Sequence, residues 1–213
     1  MVKEFYGKKV GMTQVFSDQG ELIAVTLVEI EPGYVLDKVV YPLKTKVRIG
    51  CYKVAENRIS KVKKPVKGYF DKLKIAPYGL IREVDINEEA EKKPEAKDPR
   101  EITIEMFSQG DYLNIQGTTK GKGFSGGMKR HGWSGQPKSH GSTTHRRLGS
   151  AGASAYPSRI IKGIGMPGHL GNARRTVKRL KILKVDSDKN ILFIKGCIPG
   201  ARGSRVALKK VSG

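Results

Sequence analysis

The chain has 213 residues, 38% of them apolar, with 41 Lys and Arg against 20 Asp and Glu and a formal net charge of +21. That length and apolar content support one large cored domain or two small ones and exclude disorder throughout. No run of about eighteen apolar residues and no apolar leader segment is present, so a membrane role is excluded from the reading and a cytoplasmic location is expected.

In chain order, residues 22–30 (LIAVTLVEI) are β-branched and apolar over a strand-like length. Cys51 and Cys197 lie far apart with no CxxC companion, which fits small buried thiols in a reducing compartment better than a disulfide framework. Residues 65–73 (PVKGYFDKL) suit a short helix, with Gly68 its weak point. Residues 83–111 hold ten acids against Lys92, Lys93, Lys97 and Arg100, a local net charge of −6, and are expected to face away from any polyanion. Residues 102–107 (ITIEMF) and 112–116 (YLNIQ) read as further strands. Residues 177–185 and 191–195 bracket the turn-forming run Asp186-Ser187-Asp188-Lys189-Asn190, which predicts a β-hairpin. The expected fold is mainly β: an antiparallel β-barrel body from 1–118 and 176–213, with a small α/β insertion at 60–111. Between the two body segments, 119–175 is expected to form a long irregular, Gly-rich basic loop extension.

The charge is concentrated in one place. From 112 to 185 there is no Asp or Glu, yet the stretch holds 15 Lys and Arg, all four His and the only Trp. Like charges crowded together oppose compaction, so a polyanion is expected to supply the missing negative charge, and nucleic acid is the partner that fits. Fourteen glycines between 117 and 171, among few large aliphatic residues, give this run little to bury. The candidate ligands are Lys120, Lys122, Lys129, Arg130, Lys138, Arg146, Arg147, Arg159, Lys162, Arg174 and Arg175, together with His131, Trp133, His140, His145 and His169. Gly121, Gly123, Gly126, Gly149 and Gly152 are the positions where the backbone is expected to approach its partner closely. The aromatics Phe124, Trp133 and Tyr156 suit two roles equally, stacking on unpaired bases or packing within the arm.

Other chemistries fit less well. Residues 121–126 (GKGFSG) match GxGxxG, but an amphipathic helix does not follow, and Arg146 and Arg147 stand where a ribose-binding acid belongs. Gly123 after Lys122 spoils a Walker loop. The histidines have neither Cys nor carboxylate beside them for a metal, and the arm has no carboxylate for acid/base catalysis. No cofactor, metal, small-molecule substrate or membrane is expected. The alternatives that stay open are a phosphate- or nucleotide-binding enzyme using 121–126 and a basic architectural DNA-binding protein.

Residues 114–130 (NIQGTTKGKGFSGGMKR) resemble the hallmark of a known family, the large-subunit ribosomal protein L-three family in its bacterial form. Further similar blocks are 7–16 (GKKVGMTQVF), 139–142 (SHGS), His145-Arg146-Arg147 with Gly149-Ser150, 162–172 (KGIGMPGHLGN) and 190–200 (NILFIKGCIPG), in order along almost the whole chain. The resemblance implies a structural constituent of the large ribosomal subunit and no enzyme. It implies a barrel on the outside of the subunit, and a loop that penetrates the rRNA, binds it early in assembly and extends toward the peptidyl-transferase centre. The implied partners are large-subunit rRNA and neighbouring large-subunit proteins. The loop tip would fall near 150–156. Some bacterial members carry a methylated glutamine there, whereas 151–155 here read AGASA and offer no side-chain amide.

Overall fold

The structure, a computed structural model, describes residues 4–17, 19–42, 44–85 and 101–211. The chain divides into two compact units, Met1–Gly117 with Arg175–Gly213, and Thr118–Arg174. Its elements in order are β1 (Glu4–Phe16), β2 (Leu22–Glu29), β3 (Gly33–Tyr41), β4 (Lys44–Lys53), α1 (Lys64–Leu73), β5 (Tyr78–Asp85), β6 (Glu101–Ile102) and β7 (Tyr112–Thr118). They continue with β8 (Phe124–Ser125), α2 (Gly127–His131), β9 (Gly168–His169), β10 (Arg174–Asp186), β11 (Ile191–Lys195) and β12 (Arg205–Lys210).

In the first unit six strands close into a barrel in the order β1-β12-β7-β10-β11-β2. Alternation explains the closure. Leu113 and Ile115 of β7, Leu192 and Ile194 of β11, and Val206 and Leu208 of β12 point inward and are fully or almost fully buried, with Phe5 and Val28 beside them. A barrel this narrow leaves little room on its axis. A Cβ on Gly7 would lie 2.5 Å from Val28 Cγ1, so glycine is the residue that lets β1 close on β2. The hairpin expected around 186–190 joins β10 to β11, with Asp186 Oδ1 accepting the Lys189 N–H at 3.2 Å.

A second, four-stranded sheet runs β5-β4-β3-β6. Its inward residues Val47, Ile49, Cys51, Val84 and Ile102 join the barrel's Phe5 and Ile115 in one continuous core. Helix α1, as expected, occupies the proline-led segment. Pro65 sits in its first turn, Lys74 ends it in the left-handed conformation, and its buried Phe70 lies 6.1 Å from the Tyr78 ring. Helix α1 and β5 fall inside the expected 60–111 insertion, while their sheet partners β3 and β4 precede it.

Two expectations are corrected. Residues 102–107 form no continuous strand: pairing with β3 stops at Gly33↔Ile102, and the chain turns into a single 3-10 turn at Ile104–Met106. That turn lets Ile102, Ile104 and Phe107 all reach the core, which strict alternation would forbid. The two thiols also differ: Cys51 is buried and pushed up to about 12 by that burial, whereas Cys197 is exposed in the loop whose inward residue is Ile198. The acidic run expected to face away from a polyanion falls largely on 86–100, outside the described residues.

Candidate nucleic-acid interface

The second unit begins as a ladder. Thr119 N–H donates to Ala173 O at 3.0 Å and Asn172 N–H returns a bond to Thr119 O at 3.2 Å; Lys122 N–H then meets Leu170 O and Leu170 N–H meets Gly123 O, both at 2.9 Å. Strands β8 and β9 continue it, pairing Phe124 with His169. Gly171, at φ +76°, lies directly against the Lys120 carbonyl, a contact that a Cβ would prevent.

Beyond the ladder the chain ties a small knot. The five-residue α2 ends at Gly132, whose N–H caps Met128 O at 3.1 Å. Arg130 Nη1 donates to Met166 O at 2.6 Å, and His131 Nε2 donates to the same carbonyl at 3.0 Å. The Trp133 indole stacks on His131, with centroids 5.8 Å apart, and covers the Gly127 Cα. Gln136 N–H closes on His145 O at 2.8 Å. From 137 to 163 the chain contains neither helix nor strand, and its local order comes from turns such as Arg147 N–H to Thr144 O at 3.0 Å.

Of the residues singled out in the sequence, Lys120, Lys122, Lys129, Lys138, His140, His145, Arg146, Arg147, Arg159, Lys162, His169, Arg174 and Arg175 are exposed. Arg130 and His131 are exposed too, but their Met166 contacts give them a part in the arm's own folding. Trp133 is half-buried in the knot, whereas Phe124 and Tyr156 are 80% and 89% exposed. Among the described residues the ion pairs engage Lys44, Arg48 and Lys210 of the first unit with carboxylates. Among the described residues no three of His, Cys, Asp and Glu come together as a metal cluster would.

The glycines separate into two kinds. At Gly121, Gly126 and Gly152 the backbone is not left-handed, and a Cβ would meet its nearest neighbour at 3.8 Å, nothing within 4 Å, and 3.9 Å respectively. Gly123 and Gly149 take positive φ, with open space where a side chain would stand. Gly127, Gly135, Gly168 and Gly171, which the sequence reading passed over, pack closely against Trp133, Met128, Arg130 and Lys120 respectively. For Gly168 and Gly171 the signal lay in the order of the blocks: 162–172 returns beside 119–131, so they face Arg130 and the Lys120 carbonyl on the other limb. The missed apolar group is Ile160, Ile161 and Ile164, which are exposed in the same basic setting.

The GxGxxG segment does not form a nucleotide loop. Residues 121–126 run along the ladder into β8, and the helix after them has five residues, so the strand–turn–long helix that would hold a pyrophosphate is absent from this described segment. What the unit offers is a backbone closely paired at its root and a distal stretch covered in cationic side chains, suited to several phosphates on an irregular surface.

Residues 80–191 match the sequence model of the family described as Ribosomal protein L3. Over 213 aligned residues the chain is 43% identical to the large ribosomal subunit protein uL3 of Acetivibrio thermocellus, covering 98% of this chain and 97% of that protein. It is 39% identical over 212 residues to uL3 of Syntrophus aciditrophicus, covering 99% and 94%, and 41% identical over 209 residues to uL3 of Borrelia hermsii, covering 96% and 95%.

Proposed function

The chain belongs to the ribosomal protein L3 family, and from that premise we propose that its second unit is the arm by which it holds large-subunit rRNA. As a family member it is a structural protein of the large subunit in the cytoplasmic ribosome, and it is not an enzyme. The observation that carries the proposal is the acid-free arm, whose Lys and Arg side chains are exposed along its length. Lys and Arg displace counterions from converging phosphates, and the open Cα positions at Gly121, Gly126 and Gly152 leave room for an RNA backbone. Because the ladder fixes the arm's root, less ordering entropy is lost on binding, which suits early attachment during assembly. The exposed stretch around 150–156 is the part that reaches toward the peptidyl-transferase centre.

The test is rRNA affinity against salt. If about six to ten arm cations meet phosphates, affinity should fall about 10³–10⁵-fold between about 50 and 200 mM salt. Lys122→Ala, Arg146→Ala and Arg147→Ala should each reduce the slope by about one unit, while Lys184→Ala on the barrel should not. Unchanged slopes in the arm variants, or equal affinity for duplex DNA in the same salt, would overturn the proposal.

A further inference from the structure

Strands β1 and β2 extend past the barrel as a two-stranded ribbon. Strand β12 pairs with β1 over Glu4–Lys8, and β11 pairs with β2 over Val25–Glu29, whereas β1 and β2 pair with each other out to Phe16↔Leu22. A turn from Ser17 to Glu21 closes the tip: Glu21 O accepts from Ser17 N–H at 2.8 Å, and Ser17 Oγ accepts from Glu21 N–H at 3.0 Å. Directly opposed residues share a face, so Met12, Phe16 and Leu22 lie on one side of the ribbon and Val15 with Ile23 on the other. Phe16 is 72% exposed, Leu22 55%, Met12 53% and Val15 37%. Isolated two-stranded ribbons are marginal in water, and an apolar group this exposed marks a contact surface.

The sequence says which kind of contact. Residues 10–37 contain no Lys or Arg and five acids, Asp18, Glu21, Glu29, Glu31 and Asp37, in a chain of net charge +21. The nearest bases by register, Lys8, Lys9 and Lys195, stand at the ribbon's root. Phosphate contact needs cations, and here the phosphate backbone would meet carboxylates. Resting on the reading that this chain sits in the large subunit, we propose that the β1–β2 ribbon is a docking site for a neighbouring basic protein of the same particle. Phe16 and Leu22 enter an apolar patch on that protein, and Glu21 meets Lys or Arg at the patch's rim.

The test uses large subunits purified from cells in which the full-length chain replaces the resident copy. A photoreactive benzoylphenylalanine in place of Phe16 should cross-link to one basic ribosomal protein, identified by mass spectrometry, while the same group in place of Tyr156 should cross-link to rRNA. The double variant Phe16→Ser, Leu22→Ser should lower occupancy of that neighbour at least about tenfold, the effect of losing about 1.4 kcal/mol. Affinity of the variant chain for naked rRNA should stay within about twofold, because the substituted side chains are exposed and carry no charge that could meet a phosphate. A cross-link from position 16 to rRNA, to a second copy of the chain, or to nothing would overturn the docking site and leave the functional reading standing. A chain that never enters large subunits would overturn that reading, and the docking site with it.

Discussion

Lys9 is buried where β1 leaves the barrel, and its ammonium group donates to Ile198 O at 2.9 Å and Gly200 O at 3.3 Å. A single cation thereby satisfies carbonyls of a loop that would otherwise face the core with lone pairs unmet. Lys9→Met should destabilise the chain by about 1–3 kcal/mol in urea unfolding, the usual cost of leaving such acceptors buried and unpaired. A change below a few tenths would mean that water replaces the ammonium. Neighbouring glycines in the arm separate folding from binding even more directly. A Cβ on Gly127 would run into the Trp133 ring, while one on Gly126 would meet nothing. Trp133 is the only tryptophan, so its fluorescence reports the knot alone. Gly127→Ala should shift that emission toward the spectrum of exposed indole, and Gly126→Ala should leave it unchanged while weakening rRNA binding. An identical response from both variants would count against the separation. That distinction was invisible in the sequence, where GG at 126–127 reads the same at both positions, and it rests on where the Trp133 ring folds back.

Closure of the barrel depends on β7 meeting β12, and an ion pair fastens one end of that seam. Lys210 Nζ lies 2.6 Å from Asp111 Oδ2, which also accepts the Ser108 N–H at 2.9 Å. Burial alone would raise the Asp111 pKa; the bonds from Lys210 and Ser108 outweigh it and hold the carboxyl below its ordinary value. A pKa lowered by folding adds stability that is complete above the unfolded value of about 4 and is lost as the pH falls through the folded one. Asp111→Asn should therefore lower Tm at neutral pH and flatten the loss of Tm below about pH 4, and an unchanged acid limb would show that the pair contributes nothing. One strand of this seam was legible, β7 at 112–116, and so was its other neighbour β10 at 177–185, which the turn at 186–190 joined to the right partner, whereas β12 went unread. Strands β3 to β5 were not read, because segments such as 44–53 (KTKVRIGCYK) mix lysines into their alternation and their pairing is settled by the core they share with the barrel. Residues 102–107 misled for the opposite reason, since a run of β-formers turned inward once β3 ran out of residues to pair.

The molecule as a whole keeps its hydrophobic packing in one unit and its acid-free stretch mainly in the other. The buried aliphatics lie in the first unit, and the acid-free run centres on the second. This was the clearest message of the sequence, since an absence of carboxylates over so long a stretch needs no coordinates to notice. What it left unread was the arm's internal order, which depends on carbonyls such as Met166 O that carry no compositional mark. Because β7 and β10 are neighbours and Thr119 pairs with Ala173, replacing 120–172 by an Asn-Gly turn should leave a hairpin within an intact barrel. That shortened chain should unfold in one cooperative transition and bind rRNA with a salt slope near zero. Loss of cooperative unfolding would show that the arm supports the barrel, and retained steep salt dependence would place the RNA contacts on the barrel.

Departure and return on adjacent strands also bear on how such a chain changes over generations. Residues can be gained or lost beyond the ladder without moving a single pairing of the barrel, so the reach of the arm is free to vary by insertion and deletion while the barrel varies by substitution. On the proposed reading, mutations in the two regions then answer to different selective forces, fit to RNA in one and internal packing in the other, and neither has to wait for the other to adjust.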